Sequence, residues 1–183
     1  DNGPARATKP VPLELQYDTA TGAGWGIAAS KGITAGRKGY KAALFEGGIN
    51  VPFIVRWPGK VAAGQIVAVS LISAVDLLPT FCELAGVALP ALYPPDGGSQ
   101  VSWLLGNEKP LREKPLVWKA DAPWPPQPER PDHWVSYAIV DQQWKLLANQ
   151  ALDHVELYDI TADIYEKDDL KAQHPEVVTQ LLL

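Results

Sequence analysis

The sequence predicts an α/β layer followed by a small antiparallel sheet with a terminal helix. Three observations carry this prediction: a short apolar run that stops at Pro58-Gly59, a stretch of helical spacing that ends at Gly86, and several short β-type runs after Gly106. Short apolar runs between turn signals are typical of buried strands, whereas closely spaced β-type runs are typical of an antiparallel sheet.

The α/β layer begins with a loop and a strand. Residues 1–40 are rich in Gly, Ala, Thr and Pro and follow neither hydrophobic period, so we expect a loop packed over other parts of the fold. The apolar run 51–55 then predicts a buried strand, with Pro52 at its start, where a missing N–H does least harm. We expect Trp57 to pack in the core beside it.

A helix is predicted next. Apolar side chains from Val75 to Ala85 recur near helical spacing, and Gly86 is typical of the residue that follows a helix end. With Asp76 as N-cap, Pro79 falls in the first turn, where proline is tolerated. Cys82 lies on the apolar face, which favours a buried, unreactive thiol.

The C-terminal part changes character. The runs "PLVWKA", "SYAIVDQQWKLLA" and "VELYDI" predict strands of a small antiparallel sheet. The Pro-rich stretch 121–134 is either a stiff surface loop or a polyproline ligand. The final residues predict a helix with Pro175 near its first position.

Composition excludes several classes of protein. The formal net charge is −5 and the basic residues are dispersed, so nothing favours a nucleic-acid partner. No apolar run approaches the ~20 residues of a membrane-spanning helix. Cys82 is the single cysteine, which excludes an internal disulfide and a cysteine zinc site.

Few residues suggest chemistry by themselves. Asp1 and Asn2 offer a carboxylate and an amide oxygen, donors that Ca²⁺ accepts, although Asp-Asn-Gly is also an ordinary turn sequence. Lys41 precedes a Gly-rich turn, where a lysine can hold an oxyanion as a compact point charge or be solvated. The histidines, which have no metal-ligand spacing, are expected to be surface or structural residues: His133, His154 and His174.

The order of these segments is more informative than each segment. "DNGP", then "GRKGYKAALFEGGINVPFIVRWPGK", "SAVDLLPTFCELAGV" and "DGGSQVSWLLG", and finally "QQWKLLA" and "VELYDI" follow one another along the chain. This series resembles the C-terminal half of the sulfatase family, the arylsulfatase-like members of the alkaline phosphatase superfamily. The resemblance runs nearly end to end and is densest from Lys38 to Gly106.

The resemblance implies a fold and a division of the chain. Residues 1–106 would be the C-terminal portion of an alkaline-phosphatase-like α/β sheet domain. Residues 107–183 would be a small α+β subdomain with an antiparallel sheet and a terminal helix. The change of character near Gly106 agrees with this division.

The resemblance also implies chemistry, the hydrolysis of sulfate monoesters by a formylglycine hydrate beside a bound Ca²⁺. Asp1 and Asn2 match metal-site positions of the family, and Lys41 matches its sulfate-binding lysine. The implied substrate is a small sulfate ester or a sulfated glycan, and the implied location is the periplasm or the cell exterior. Glu46 is expected to organise the turn by pairing locally.

The chain departs from the family in two respects. No segment matches the C/S-x-P/A-x-R motif that yields formylglycine, and Asn50 stands where many members carry arginine. We therefore expect a fragment that holds one side of an active site and is inactive in isolation. Two alternatives stay open: a phosphodiester or phosphonate monoester hydrolase of the same superfamily, and a non-catalytic module that binds glycan or protein.

Overall fold

The computed structural model describes residues 34–39, 43–66, 71–92, 94–107, 112–120 and 134–183. These residues form two compact units. One unit joins the residues up to Pro52 with those from Val117 onward, and the other is Phe53–Leu116. The domain boundary that the sequence predicts after Gly106 is not tested by this grouping and stays a prediction.

The antiparallel sheet is the main feature of the first unit. Its strands, in spatial order, are β1 (Leu116–Lys119), β2 (Tyr137–Asp141), β3 (Trp144–Ala148) and β4 (Val155–Asp159). Strands β2 and β3 pair antiparallel, as do β3 and β4. The sheet predicted from the three β-type runs is therefore confirmed.

The two faces of this sheet bury different partners, because successive side chains of a strand point to opposite faces. On one face, Ala138, Leu147 and Tyr158 pack with residues 43–45. On the other face, Leu146 and Leu157 pack with the helix that ends the chain, Pro175–Leu182. That helix has Pro175 in its first turn, as predicted.

A one-turn helix, α1 (Glu46–Ile49), follows the buried residues 43–45. Phe45 is fully buried, and Glu46 is 5% exposed. The face of the sheet that carries Leu147 thus covers the start of α1 as well as the residues before it.

The second unit contains two further helices. A 3₁₀ turn (Ala74–Asp76) leads into α2 (Leu77–Ala85), and α3 (Val101–Leu104) follows, so the terminal helix is α4. Gly86 adopts a left-handed conformation (φ +67°) at the end of α2. The predicted helix end is therefore confirmed, and glycine suits it because this conformation costs it little.

The predicted strand 51–55 is wrong. These residues form neither helix nor strand, and Ile54 is 87% exposed. Trp57, expected in the core, is exposed as well. The physical reason is that a strand needs a neighbour to pair its backbone N–H and C=O groups, and the sheet formed by the described residues consists of β1 to β4.

Candidate functional site

The residues that the sequence singles out for chemistry, Asp1, Asn2 and Lys41, lie outside the described residues. The structure does describe the chain on either side of Lys41. Gly39 precedes it and Ala43, which is buried, follows it. The surroundings of these flanking positions define the candidate site.

Residues 38 and 47 close the base of a loop. The Gly47 N–H donates a hydrogen bond to the Lys38 carbonyl at 2.7 Å. A Cβ at Gly47 would lie 2.6 Å from that same carbonyl oxygen, so this close approach requires glycine. Residues 38 and 47, which flank Lys41 in the sequence, are therefore held next to each other.

A buried ion triad holds the Glu46 side of this base. The Lys145 ammonium lies 2.7 Å from Glu46 Oε1 and 2.8 Å from Glu166 Oε1. The other oxygen of Glu166 accepts the Glu46 N–H at 2.7 Å, and the other oxygen of Glu46 accepts the Asn50 amide at 2.7 Å. Lys145 itself is fully buried. Removing water from such a group is costly unless it is paired, and here both partners are hydrogen-bonded acceptors.

The register of the sheet explains why Lys145 points to Glu46. Lys145 pairs with Tyr158 across β3 and β4, and Leu147 pairs with Ala138 across β2 and β3. Lys145 and Leu147 are two residues apart and therefore share a face, the one that covers residues 43–45. The only charge that β3 buries is thus directed at the start of α1.

The buried position of Glu166 also changes its proton affinity. Burial raises the pKa of Glu166 to about 6, from an ordinary value of 4.5, although the charge of Lys145 opposes the effect. Glu166 also has a positive φ of +53°, which is uncommon for a residue with a side chain. The surrounding structure therefore holds Glu166 in place despite two unfavourable features.

A second, more open cluster holds the Lys38 side of the base. The Lys38 ammonium lies 3.2 Å from Glu156 Oε2 and 3.2 Å from the Tyr158 hydroxyl, and it is 4.2 Å from the centre of the Phe45 ring. Tyr158 donates a hydrogen bond to Glu156 at 2.5 Å. Burial, followed by this bond and the carboxylate charge, raises the pKa of Tyr158, which stays neutral.

The expectation for Glu46 is confirmed in part. Its pairing with Asn50 is local, but its ion pair with Lys145 spans 99 positions in the sequence, which the sequence analysis missed. One signal could have found it. Lys145 occupies an alternating position of an apolar strand where a core residue is expected, and a lysine there needs a buried carboxylate.

The two histidines that the structure describes, His154 and His174, serve packing. The His154 ring stacks on Trp134 with ring centres 4.1 Å apart, and His174 lies against Trp144 at 4.7 Å. His133 lies outside the described residues. Cys82, expected to be buried, is a free thiol of intermediate burial. These observations agree with a structural role for both described histidines.

The second unit has its own buried charge. The Asp76 carboxylate, which is fully buried, pairs with Arg112 at 2.7 Å and accepts the backbone N–H groups of Ser73 and Gly98. These contacts tie the start of α2 to the segment before α3. The Asp76 carboxylate therefore has a structural role.

The described residues contain neither a cluster of metal ligands nor a membrane-spanning helix. Within the described ranges, no three His, Cys, Asp or Glu side chains come together in a way that could hold a metal ion. No helix in that same part of the chain has the length and apolar character needed to cross a membrane.

Comparisons with known proteins extend these observations. Residues 37–182 match the family described as N-sulphoglucosamine sulphohydrolase, C-terminal, and this span includes Glu46, Lys145 and Glu166. An N-acetylgalactosamine-6-O-sulfatase of Bacteroides thetaiotaomicron is 31% identical over 158 residues, which cover 79% of this chain and 28% of that protein. A sulfatase of Escherichia coli, YdeN, is 26% identical over 175 residues, which cover 81% of this chain and 30% of that protein.

Solved structures agree with this similarity. The crystal structure of Ps i-CgsB in complex with k-i-k-neocarrahexaose is 30% identical, with a TM-score of 0.63 over 79% of this chain and 30% of that chain. The chain thus spans less than a third of the length of the relatives it matches. The predicted fold class, part of an alkaline-phosphatase-like α/β domain with a small antiparallel sheet, is confirmed.

Proposed function

The chain belongs to the sulfatases, in the family described as N-sulphoglucosamine sulphohydrolase, C-terminal, and we propose that the protein containing these residues hydrolyses sulfate monoesters. The match over residues 37–182 carries this proposal, because it covers both the candidate site and the sheet beneath it. At the level of the family, the relatives support a hydrolase of sulfate esters.

The proposed substrate is a sulfated glycan. The B. thetaiotaomicron relative is named for a sulfated amino sugar, and Ps i-CgsB is described in complex with an oligosaccharide. A small sulfate ester is the other member of the substrate class that the sequence implies.

Lys41 is the proposed sulfate-binding residue. A sulfate ester is a compact anion, and positive charge next to its oxygens stabilises the charge that develops on the leaving oxygen. The lysine ammonium is a compact point charge that can donate hydrogen bonds to such oxygens and is not consumed. The support is the match of Lys41 to the family pattern and its place in the loop closed by Lys38 and Gly47.

Asp1 and Asn2 are the proposed Ca²⁺ ligands that this chain contributes. Their carboxylate and amide oxygens are donors of the kind that Ca²⁺ prefers, although the ion takes about six to eight oxygens in all. The described residues add no cluster of further ligands. Bound calcium would supply additional positive charge beside the ester. The 183 residues lack the C/S-x-P/A-x-R motif and span 28% of the B. thetaiotaomicron relative, so we propose that the formylglycine nucleophile and the remaining ligands belong to the rest of the protein.

The test uses the full-length protein with four substrate classes: sulfated oligosaccharides, an aryl sulfate, a phosphodiester and a phosphonate monoester. We expect sulfate release, and a fall in kcat/KM of about 100-fold or more for Lys41→Ala, the loss typical of one group that stabilises developing charge. Lys60→Ala, which changes an exposed lysine, is the matched control.

Three outcomes would contradict the proposal. The first is turnover of the phosphorus esters without sulfate release. The second is saturable glycan binding without turnover, which would favour a binding module. The third is sulfate release by the isolated 183 residues, which would contradict the expectation that they hold one side of the site. The periplasm or the cell exterior remains the proposed location, and cell fractionation tests it.

A further inference from the structure

Both ends of the loop that contains Lys41 rest on the antiparallel sheet. The Glu46 end is held by Lys145 of β3 and by Glu166, and the Lys38 end is held by Glu156 and Tyr158 of β4. Since the Gly47 N–H bonds to the Lys38 carbonyl, a shift of either end moves the other. The sheet therefore supports both Lys38 and Glu46.

The two ends are held with different strength. Lys38 has a side chain that is 32% exposed, so solvent screens its ion pair with Glu156. The side chains of Lys145 and Glu166 are 0% exposed, and the side chain of Glu46 is 7% exposed. Moving Glu46 would leave a charge unpaired in a medium of low dielectric, which is far more costly than the same movement at the surface.

We infer that Lys145 is a positioning residue of the sulfatase site, acting through Glu46 on the base of the Lys41 loop. The inference rests on the proposed function for its catalytic consequence and on the described contacts for its structural part. Lys145 is fully buried, so it meets neither substrate nor solvent. Among the described residues, its ammonium pairs with the carboxylates of Glu46 and Glu166.

The structural part is tested by amide hydrogen exchange on the full-length protein. In Lys145→Met, we expect the Glu46 and Gly47 amides to exchange at least about tenfold faster. The reason is that an amide exchanges faster when the hydrogen-bonded structure around it opens more often. The amides of Leu146 and Leu147 in β3 should keep their protection. Lys167→Met, at an exposed lysine of the same unit, should change none of these amides.

The catalytic part is tested by a double-mutant cycle. Lys145→Met should lower kcat/KM for the sulfate ester by up to about 100-fold, the loss expected from a displacement of roughly 1 Å at a reacting group. If Lys145 acts through Lys41, the double variant should be no slower than Lys41→Ala. If Lys145 merely stabilised the fold, the falls in kcat/KM of the two single variants would multiply in the double variant. Full multiplication would therefore overturn the inference.

A second variant covers the case in which Lys145→Met does not fold. Glu46→Gln leaves Lys145 paired with Glu166 and removes only the charge by which Lys145 holds Glu46. It should speed exchange at the Gly47 amide, to a smaller extent than Lys145→Met, and unchanged exchange there would overturn the inference. Absence of sulfate release by the wild type would instead overturn the proposed function, and the exchange measurements would still report whether the sheet holds the loop base.

Discussion

Lowering the pH from 7 to 5 should stabilise the fold through Glu166. Its pKa is about 6 in the folded chain, against an ordinary value of 4.5, and burial is the main cause. A folded pKa above the unfolded one means that the folded state binds more protons between these two pH values. The free energy of unfolding must therefore fall as the pH rises through this window.

The magnitude follows from the two pKa values. A difference of roughly 1.5 corresponds to about 2 kcal/mol in full, of which roughly 1 kcal/mol is gained on going from pH 7 to pH 5. Although burial acts to raise the pKa of Asp169, hydrogen bonds from Leu157 and Lys171 hold it below the ordinary value of 3.8. The stability that Asp169 provides is lost only at lower pH.

Urea unfolding at pH 5, 6 and 7 and constant ionic strength measures the effect. Glu166→Gln removes the titrating group and keeps the acceptor for the Glu46 N–H, so its free energy of unfolding should lack this component of the pH dependence. Every other group that titrates in this range is common to both proteins. Glu176→Gln, at an exposed glutamate of α4, should behave like the wild type. Equal pH slopes for wild type and Glu166→Gln would refute the reasoning.

Two further predictions concern stability at neutral pH, each measured by urea unfolding. Lys145→Met should lower the free energy of unfolding by about 3–5 kcal/mol, because it leaves two buried carboxylates without their cation. The control Lys167→Met should change the free energy of unfolding by less than about 0.5 kcal/mol. Equal losses for the two variants would contradict this prediction. Gly97→Ala should cost about 1–3 kcal/mol, since a Cβ there would meet the Val75 carbonyl, whereas Gly98→Ala, which faces open space, should cost far less. A larger loss for Gly98→Ala would contradict that prediction.

Local patterns in the sequence predicted local structure well. The β-type runs became β1 to β4, and Gly86 ended α2 as its conformational freedom predicts. The strand at 51–55 failed because a strand depends on a neighbour that the run itself does not specify. The triad was missed for a related reason: Glu46 and Lys145 are 99 positions apart, so no window of the sequence contains both.

The sequence names residues for the candidate site, and these stay a prediction, but it does not indicate what supports them. The family pattern singles out Lys41, and nothing in that pattern says what fixes the loop around it. The support comes from β3 and from the turn that carries Glu166, both far along the chain. Such long-range pairs become visible when the register of the sheet places a lysine on a buried face.

The triad bears on how the two predicted domains depend on each other. A chain that ended at Gly106 would keep Lys41 and Glu46 but would lose Lys145 and Glu166, and Glu46 would retain Asn50 as its partner among these contacts. A buried carboxylate without its cation is strongly unfavourable, so Glu46 would move toward solvent and carry Gly47 with it. The bond from Gly47 to the Lys38 carbonyl would then be lost, and with it the closed base of the loop. The antiparallel sheet is therefore a structural support for the contact that Lys38 and Gly47 make.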